Sequence, residues 1–213
     1  MKFDDAKILL FHPGKCAGTS VEISLVKHYM GKNHTELGPA KNPQFDILYG
    51  FDSRNKVYLQ HCDLDYIFKH TDVDPNEYSS YTFVRNPYHR LVSAFYYNDI
   101  PKRMGITFEE FVMDPQGLLL RYDANQSHTI NHFGLMKRFT HHPKYVVGNI
   151  GKVETLEQDF KRFFPHLTLP KHKAAKTVAS SRHKNYMDLY SEEVRRRVYD
   201  LYKEDFITFG YNS

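Results

Sequence analysis

The 213-residue chain has no tryptophan and only two cysteines, Cys16 and Cys62. Two thiols exclude both a disulfide scaffold and a four-cysteine zinc site, and they read as free thiols in a reducing compartment. No apolar run approaches the roughly 18 residues that would suggest a membrane-spanning helix. The opening segment "MKFDDAKILLF" is too acidic, and its apolar run too short, for a secretory signal. A cytoplasmic protein without a membrane span is the expectation. Internal repeats, low-complexity tracts and Ser/Gly linkers are also missing, which favours a single domain over residues 1–213. What the chain does have is a mild basic excess, net +4 with a pI near 8.8, together with 16 Tyr, 16 Phe and 13 His. That balance suits an anionic ligand but selects none.

Periodicity organises the chain as alternating strands and helices. Residues 7–12 read as a buried strand and 18–30 as a helix, with Val21, Leu25 and His28 at helical spacing. Loops are expected over 32–55, a second strand at "KVYLQH" (56–61) and a third at "SYTFVR" (80–85), each followed by a helix, at 63–70 and 87–98. "ITFEEFVMD" opens another helix, with Thr107 as cap and Glu110 three residues on. A short fourth strand is expected at 144–150, an amphipathic helix at 153–164 and a final helix at about 191–205. The pattern predicts an α/β fold of three layers, a mostly parallel central sheet flanked by helices. On such sheets ligands bind beyond the carboxyl ends of strands, where helices begin.

Two motifs fall there. In "HPGKCAGTS", Gly18 leaves room for close backbone approach, Thr19 and Ser20 offer hydroxyls at a helix start, and Lys15 brings an ammonium. The ATP/GTP loop places its lysine after the last glycine; here the lysine precedes Gly18 by three residues. No apolar strand ends in an aspartate suited to Mg²⁺. The plain alternative is a strand-loop-helix connection carrying a surface lysine. In "SSYTFVRNPYHRLVSAFYY" (79–97), a strand runs into Arg85, Pro87 sits at a helix start and Ser93 follows two turns later. A guanidinium can grip a phosphate bidentately and a hydroxyl can complete its shell. Here the plain alternative is a capped helix with Arg85 and Arg90 in ordinary surface pairs.

Together the motifs resemble the sulfotransferases that use 3′-phosphoadenosine 5′-phosphosulfate (PAPS), in their carbohydrate (Golgi-type, family 2) branch. "KCAGTS" matches the K-x-x-G-T-S core of that family's 5′-phosphosulfate loop, and "RNPYHRLVSAFYY" its R-[ND]-P…S site for the 3′-phosphate. The likeness continues through "TFEEFV" (107–112), "VGNIGKVETLEQDF" (147–160) and "YKEDFITFGY" (202–211), in order. The chain departs from the family at Gly14, which stands between Pro13 and Lys15, and at Cys16-Ala17, where Thr-Gly is commoner. The chain is also short for the family.

The resemblance implies a P-loop-like nucleotide-binding fold. It implies that Lys15, Cys16, Ala17, Gly18, Thr19 and Ser20 line the 5′-phosphosulfate, that Arg85 and Ser93 hold the 3′-phosphate, and that Ser181 and Arg182 belong to a late loop over the nucleotide. Lys15 would neutralise the oxygen bridging sulfur and phosphorus, and His61 would be the base that takes the acceptor proton. His128 is a candidate acceptor contact. Sulfuryl transfer by in-line displacement needs positioning and cationic groups rather than a metal, and no metal is expected. The histidines His128 and His132, four apart, lack the companions of a metal motif. Cys62 reads as a packed residue. The expected partner is a hydroxyl acceptor, a glycan or a small molecule, and no nucleic acid. A P-loop kinase using ATP and Mg²⁺, and a non-catalytic module binding sulfated glycans or nucleic acid through its basic residues, are the competing classes.

Overall fold

The four apolar residues Ile8–Phe11 are all buried and form strand β2. It lies inside a four-stranded sheet of order β1-β2-β5-β8, where β1 is Lys2–Phe3, β5 is Ser79–Val84 and β8 is Asn149–Lys152. β1 pairs antiparallel with β2, while β5 runs parallel to both β2 and β8. The computed structural model describes residues 1–38, 41–123, 132–170 and 186–213.

Alternation along β2 sends its side chains to two cores. Ile8 and Leu10 join Val21, Leu25, Phe83 and Phe160. Leu9 and Phe11 join Leu59, Leu64 and Ile67. The first set covers one face of the sheet with α1 (Gly18–Tyr29) and α7 (Leu156–Phe163). The second covers the other face with α2 (Leu64–His70), which Asp63 caps by accepting from the Tyr66 N–H. The expected central sheet flanked by helices is therefore present, with three of its strands parallel.

The chain folds as two units, Met1–Val84 with Met136–Lys171 and Arg85–Leu135 with His172–Ser213. The sheet belongs to the first. The second is helical among the described residues: α3 (Pro87–Tyr97), α4 (Ile100–Met104), α5 (Phe108–Met113), α6 (Pro115–Asp123) and α8 (Glu192–Phe209). Phe95, Phe111, Val198 and Phe206 centre its core. Thr107 and Glu110 form the expected reciprocal capping box at the start of α5.

Several expected elements differ. The strand at 56–61 shrinks to β4 (Val57–Tyr58), which pairs with β3 (Phe51–Asp52) in a separate ribbon. Leu59–His61 is a 3₁₀ turn. The cause is Asp52, which accepts from the Arg54 and Asn55 N–H groups and from the Tyr66 hydroxyl, so the turn closes on itself. The strand at 144–150 splits into β7 (Tyr145–Val146), paired with β6 (His141–His142), and β8 in the main sheet. Gly148 N–H donates to Ser80 Oγ at the break. The final helix extends to Phe209, bends at Tyr202 and ends on Gly210 in the left-handed region.

Candidate functional site

Beyond β2 the backbone turns twice through the left-handed region, at Lys15 (φ 67°) and Ala17 (φ 61°). Neither is glycine, and each such turn costs an L-residue about 1–2 kcal/mol. Between them Cys16 points inward. It is buried, its N–H donates to the Pro13 carbonyl, and its Sγ lies 3.5 Å from Met136 Sδ. Its side chain anchors the loop, leaving the backbone as its means of meeting a ligand.

Helix α1 then starts at Gly18 with Ala17 as an N-cap that supplies no side-chain hydrogen bond. Among the described residues, the N–H groups of Gly18 and Thr19 and the hydroxyls of Thr19 and Ser20 make no hydrogen bond. Thr19 is exposed; Lys15 and Ser20 are half-buried. A 12-residue helix thus presents unpaired donors and the positive end of its dipole, with a lysine just before it. These are the requirements of an anion site.

Gly18 is required for a reason the sequence hides. It has no positive φ. Instead, a Cβ added there would stand 1.9 Å from Cδ2 and 2.2 Å from Nε2 of His12. The His12 ring therefore lies against the first turn of α1. Its Nδ1 donates to Oε1 of Glu22 at 3.0 Å, and Oε2 of the same carboxylate faces His34 Nε2 at 3.4 Å. Glu22 is only 2% exposed. Burial alone would raise its pKa, but the charge and hydrogen bond of His12, with the hydrogen bond of His34, outweigh burial and hold the carboxylate well below its ordinary range.

His61 reaches the same place. Its Nδ1 lies 2.9 Å from the His12 carbonyl oxygen, and the two rings meet at a tilt of 57° with centroids 4.4 Å apart. A carbonyl only accepts, so His61 carries its proton on Nδ1 and, when neutral, keeps a lone pair on Nε2. That is the tautomer a base at Nε2 needs. Its neighbour Cys62 is buried, and burial pushes the thiol up to about 12, which makes it a packed thiol rather than a nucleophile. The structure thus brings Lys15, Gly18, Thr19, Ser20 and His61 into one unit. Sequence reasoning missed His12, Glu22 and His34. One signal was available: Glu22 is a carboxylate set among Val21, Leu25 and Val26 on the apolar face of α1.

In the second unit, Asn86 caps α3 by accepting from the Tyr88 N–H at 2.9 Å, and Pro87 occupies the first turn as expected. Arg85 and Ser93 are half-buried. The Ser93 hydroxyl makes no hydrogen bond among the described residues. Arg90 is not a surface residue: it is 2% exposed and donates from Nη1 to the Gly134 carbonyl at 2.7 Å. His132 is buried, bonded to Asn98 at 3.2 Å and set edge-on to Tyr97. His128, Ser181 and Arg182 lie outside the described residues. Among those described, no group of three His, Cys, Asp or Glu is arranged to hold a metal ion, and no helix is long and apolar enough to cross a membrane.

No curated protein and no solved structure matches the chain. The sequence model of the sulfotransferase family, in its second branch, matches residues 3–212, nearly the whole length. Taken with the sheet and the uncapped helix after its second strand, this coverage places the chain in sulfotransferase family 2, as an enzyme of sulfuryl transfer.

Proposed function

We propose that the protein transfers the sulfuryl group of PAPS to an acceptor hydroxyl, with a carbohydrate as the acceptor. The reading is carried by the start of α1, where the N–H groups of Gly18 and Thr19 and the hydroxyls of Thr19 and Ser20 have no partner among the described residues. An anionic ligand is the group such donors take, and the loop acts as a P-loop-like cradle with a displaced lysine. PAPS supplies a sulfuryl group already attached to a good leaving phosphate.

The chain's own residues do the rest. The start of α1 binds the 5′-phosphate through backbone and hydroxyl donors. Lys15 neutralises charge on the departing bridging oxygen, the kind of fixed cation that carries much of the catalysis in group transfer. His61 accepts the acceptor's proton at Nε2, its Nδ1–H being committed to the His12 carbonyl. Arg85 and Ser93 are assigned the 3′-phosphate, a group that separates PAPS from ordinary adenine nucleotides. Cationic side chains meet the charge requirement, so the transfer is proposed to run without metal. A carbohydrate acceptor accords with the branch of the family and with the mild positive charge.

Calorimetric titration with 3′-phosphoadenosine 5′-phosphate (PAP), AMP and ATP, with and without Mg²⁺, tests this. Preference for PAP without metal, lost in Arg85→Ala, is expected. Equal binding of all three, or ATP binding that requires Mg²⁺, would overturn the reading and favour a kinase.

A further inference from the structure

The His12 side chain has a role that the transfer chemistry does not use directly. It contacts three things at once. Its Nδ1 is tied to the buried Glu22 carboxylate, one edge of the ring fills the space above Gly18, and the ring packs at a tilt against that of His61. The same residue's carbonyl accepts the Nδ1 proton of His61. Glu22 in turn is braced on its far oxygen by His34. These residues come from the end of β2, the first and second turns of α1, the 3₁₀ segment after α1 (His34–Leu37) and the 3₁₀ turn after β4. A buried charged carboxylate is expensive unless its partners are well placed. Holding one here fixes the ring of His12 in a single orientation.

We propose that His12 is a positioning residue for the transfer: its carbonyl keeps His61 in the Nδ1–H tautomer, and its ring, clamped by Glu22, holds that carbonyl in place and ties it to the phosphate-binding end of α1. The assignment rests on the reading of His61 as the base. It makes base and donor loop one mechanical unit, because the ring that packs against His61 also bears on Gly18. A shift of α1's first turn toward a bound phosphate moves the surface against which His12 packs. His61 is therefore ready only when the helix start is in its proper place.

The tautomer is directly readable. Nitrogen-15 correlation spectra of the imidazoles of the full chain, recorded near pH 8 and assigned to His61 by comparison with His61→Asn, distinguish Nδ1–H from Nε2–H. The wild-type protein is expected to show Nδ1–H alone. Glu22→Gln, which keeps the shape but weakens the clamp by removing its charge, and Gly18→Ala, which pushes the ring from the other side, should each convert His61 to a mixture. His34→Ala leaves the His12–Glu22 bond and should keep the wild-type pattern. An Nε2–H pattern in the wild type, or a wild-type pattern in folded Glu22→Gln and Gly18→Ala, overturns the proposal. If neither variant folds, titrating the wild type with PAP decides it: shifts at His61 on binding are expected, and unmoved signals in a protein that calorimetry shows to be saturated refute it. Absence of PAP binding would instead count against the sulfotransfer reading, while the wild-type tautomer would still test the clamp.

Discussion

Gly18 and Ala17 are neighbours whose exchange for one another's residue should have opposite effects. In Gly18→Ala the new methyl would meet His12 Cδ2 at 1.9 Å, against about 3.5 Å for ordinary carbon contact. The ring must retreat by roughly 1.6 Å, or α1 must give way. The ring is not free to move, because Nδ1 is held 3.0 Å from a buried carboxylate and the tilted His61 ring stands against it, centroids 4.4 Å apart. Overpacking of this kind costs about 1–3 kcal/mol, and weakening a buried hydrogen bond to a charged group about 1.5–3 kcal/mol. A net loss of about 3 kcal/mol is expected after some relaxation, or a drop in Tm of about 6–12 °C for a chain of this size. Ala17→Gly instead relieves a left-handed alanine. It should be neutral or stabilising by up to about 1 kcal/mol, once the greater freedom of glycine in the unfolded chain is subtracted. Thermal unfolding followed by circular dichroism measures both. A Gly18→Ala protein that melts within about 2 °C of the wild type would refute the packing argument, and with it the reason given for glycine at this position.

Lys15→Ala should leave the fold intact and reduce sulfate transfer by about 10²–10³-fold, the usual cost of removing one group that stabilises developing charge; radiolabelled donor with a panel of glycan acceptors measures it. Cys62, its thiol held near 12 by burial, should resist a thiol reagent at pH 8 in the folded protein and react at once in urea. Glu22 has a lowered pKa in the folded state, so its contribution to stability is complete above the unfolded carboxyl value of 4.5 and is lost as pH falls below it. Urea unfolding between pH 7 and pH 3 should show that acid-side loss in the wild type and a shallower one in Glu22→Gln.

Local signals were legible and came out close to their expected bounds. The apolar run of β2, the helix from Gly18, the Pro87 start of α3 and the Thr107–Glu110 capping box each depend on residues within a few positions of one another. Errors arose where distant partners decide. "KVYLQH" has the alternation of a sheet strand, yet Asp52 and Tyr66 close the preceding segment into its own ribbon. The plain alternative of Arg90 in an ordinary surface pair fails for the same reason: Arg90 is buried and bonded to the Gly134 carbonyl, 44 residues away.

The order and spacing of the motifs, by themselves, pointed to the family that the match over residues 3–212 then showed, and to a helix start that favours an anion, because such a start needs only its own unpaired donors and a nearby cation. Tertiary structure alone decided why Gly18 must be glycine, which way Cys16 faces and how His61 is oriented. Those depend on a ring, a sulfur and a carbonyl brought from elsewhere in the chain, and no periodicity encodes a contact between segments that meet only after folding.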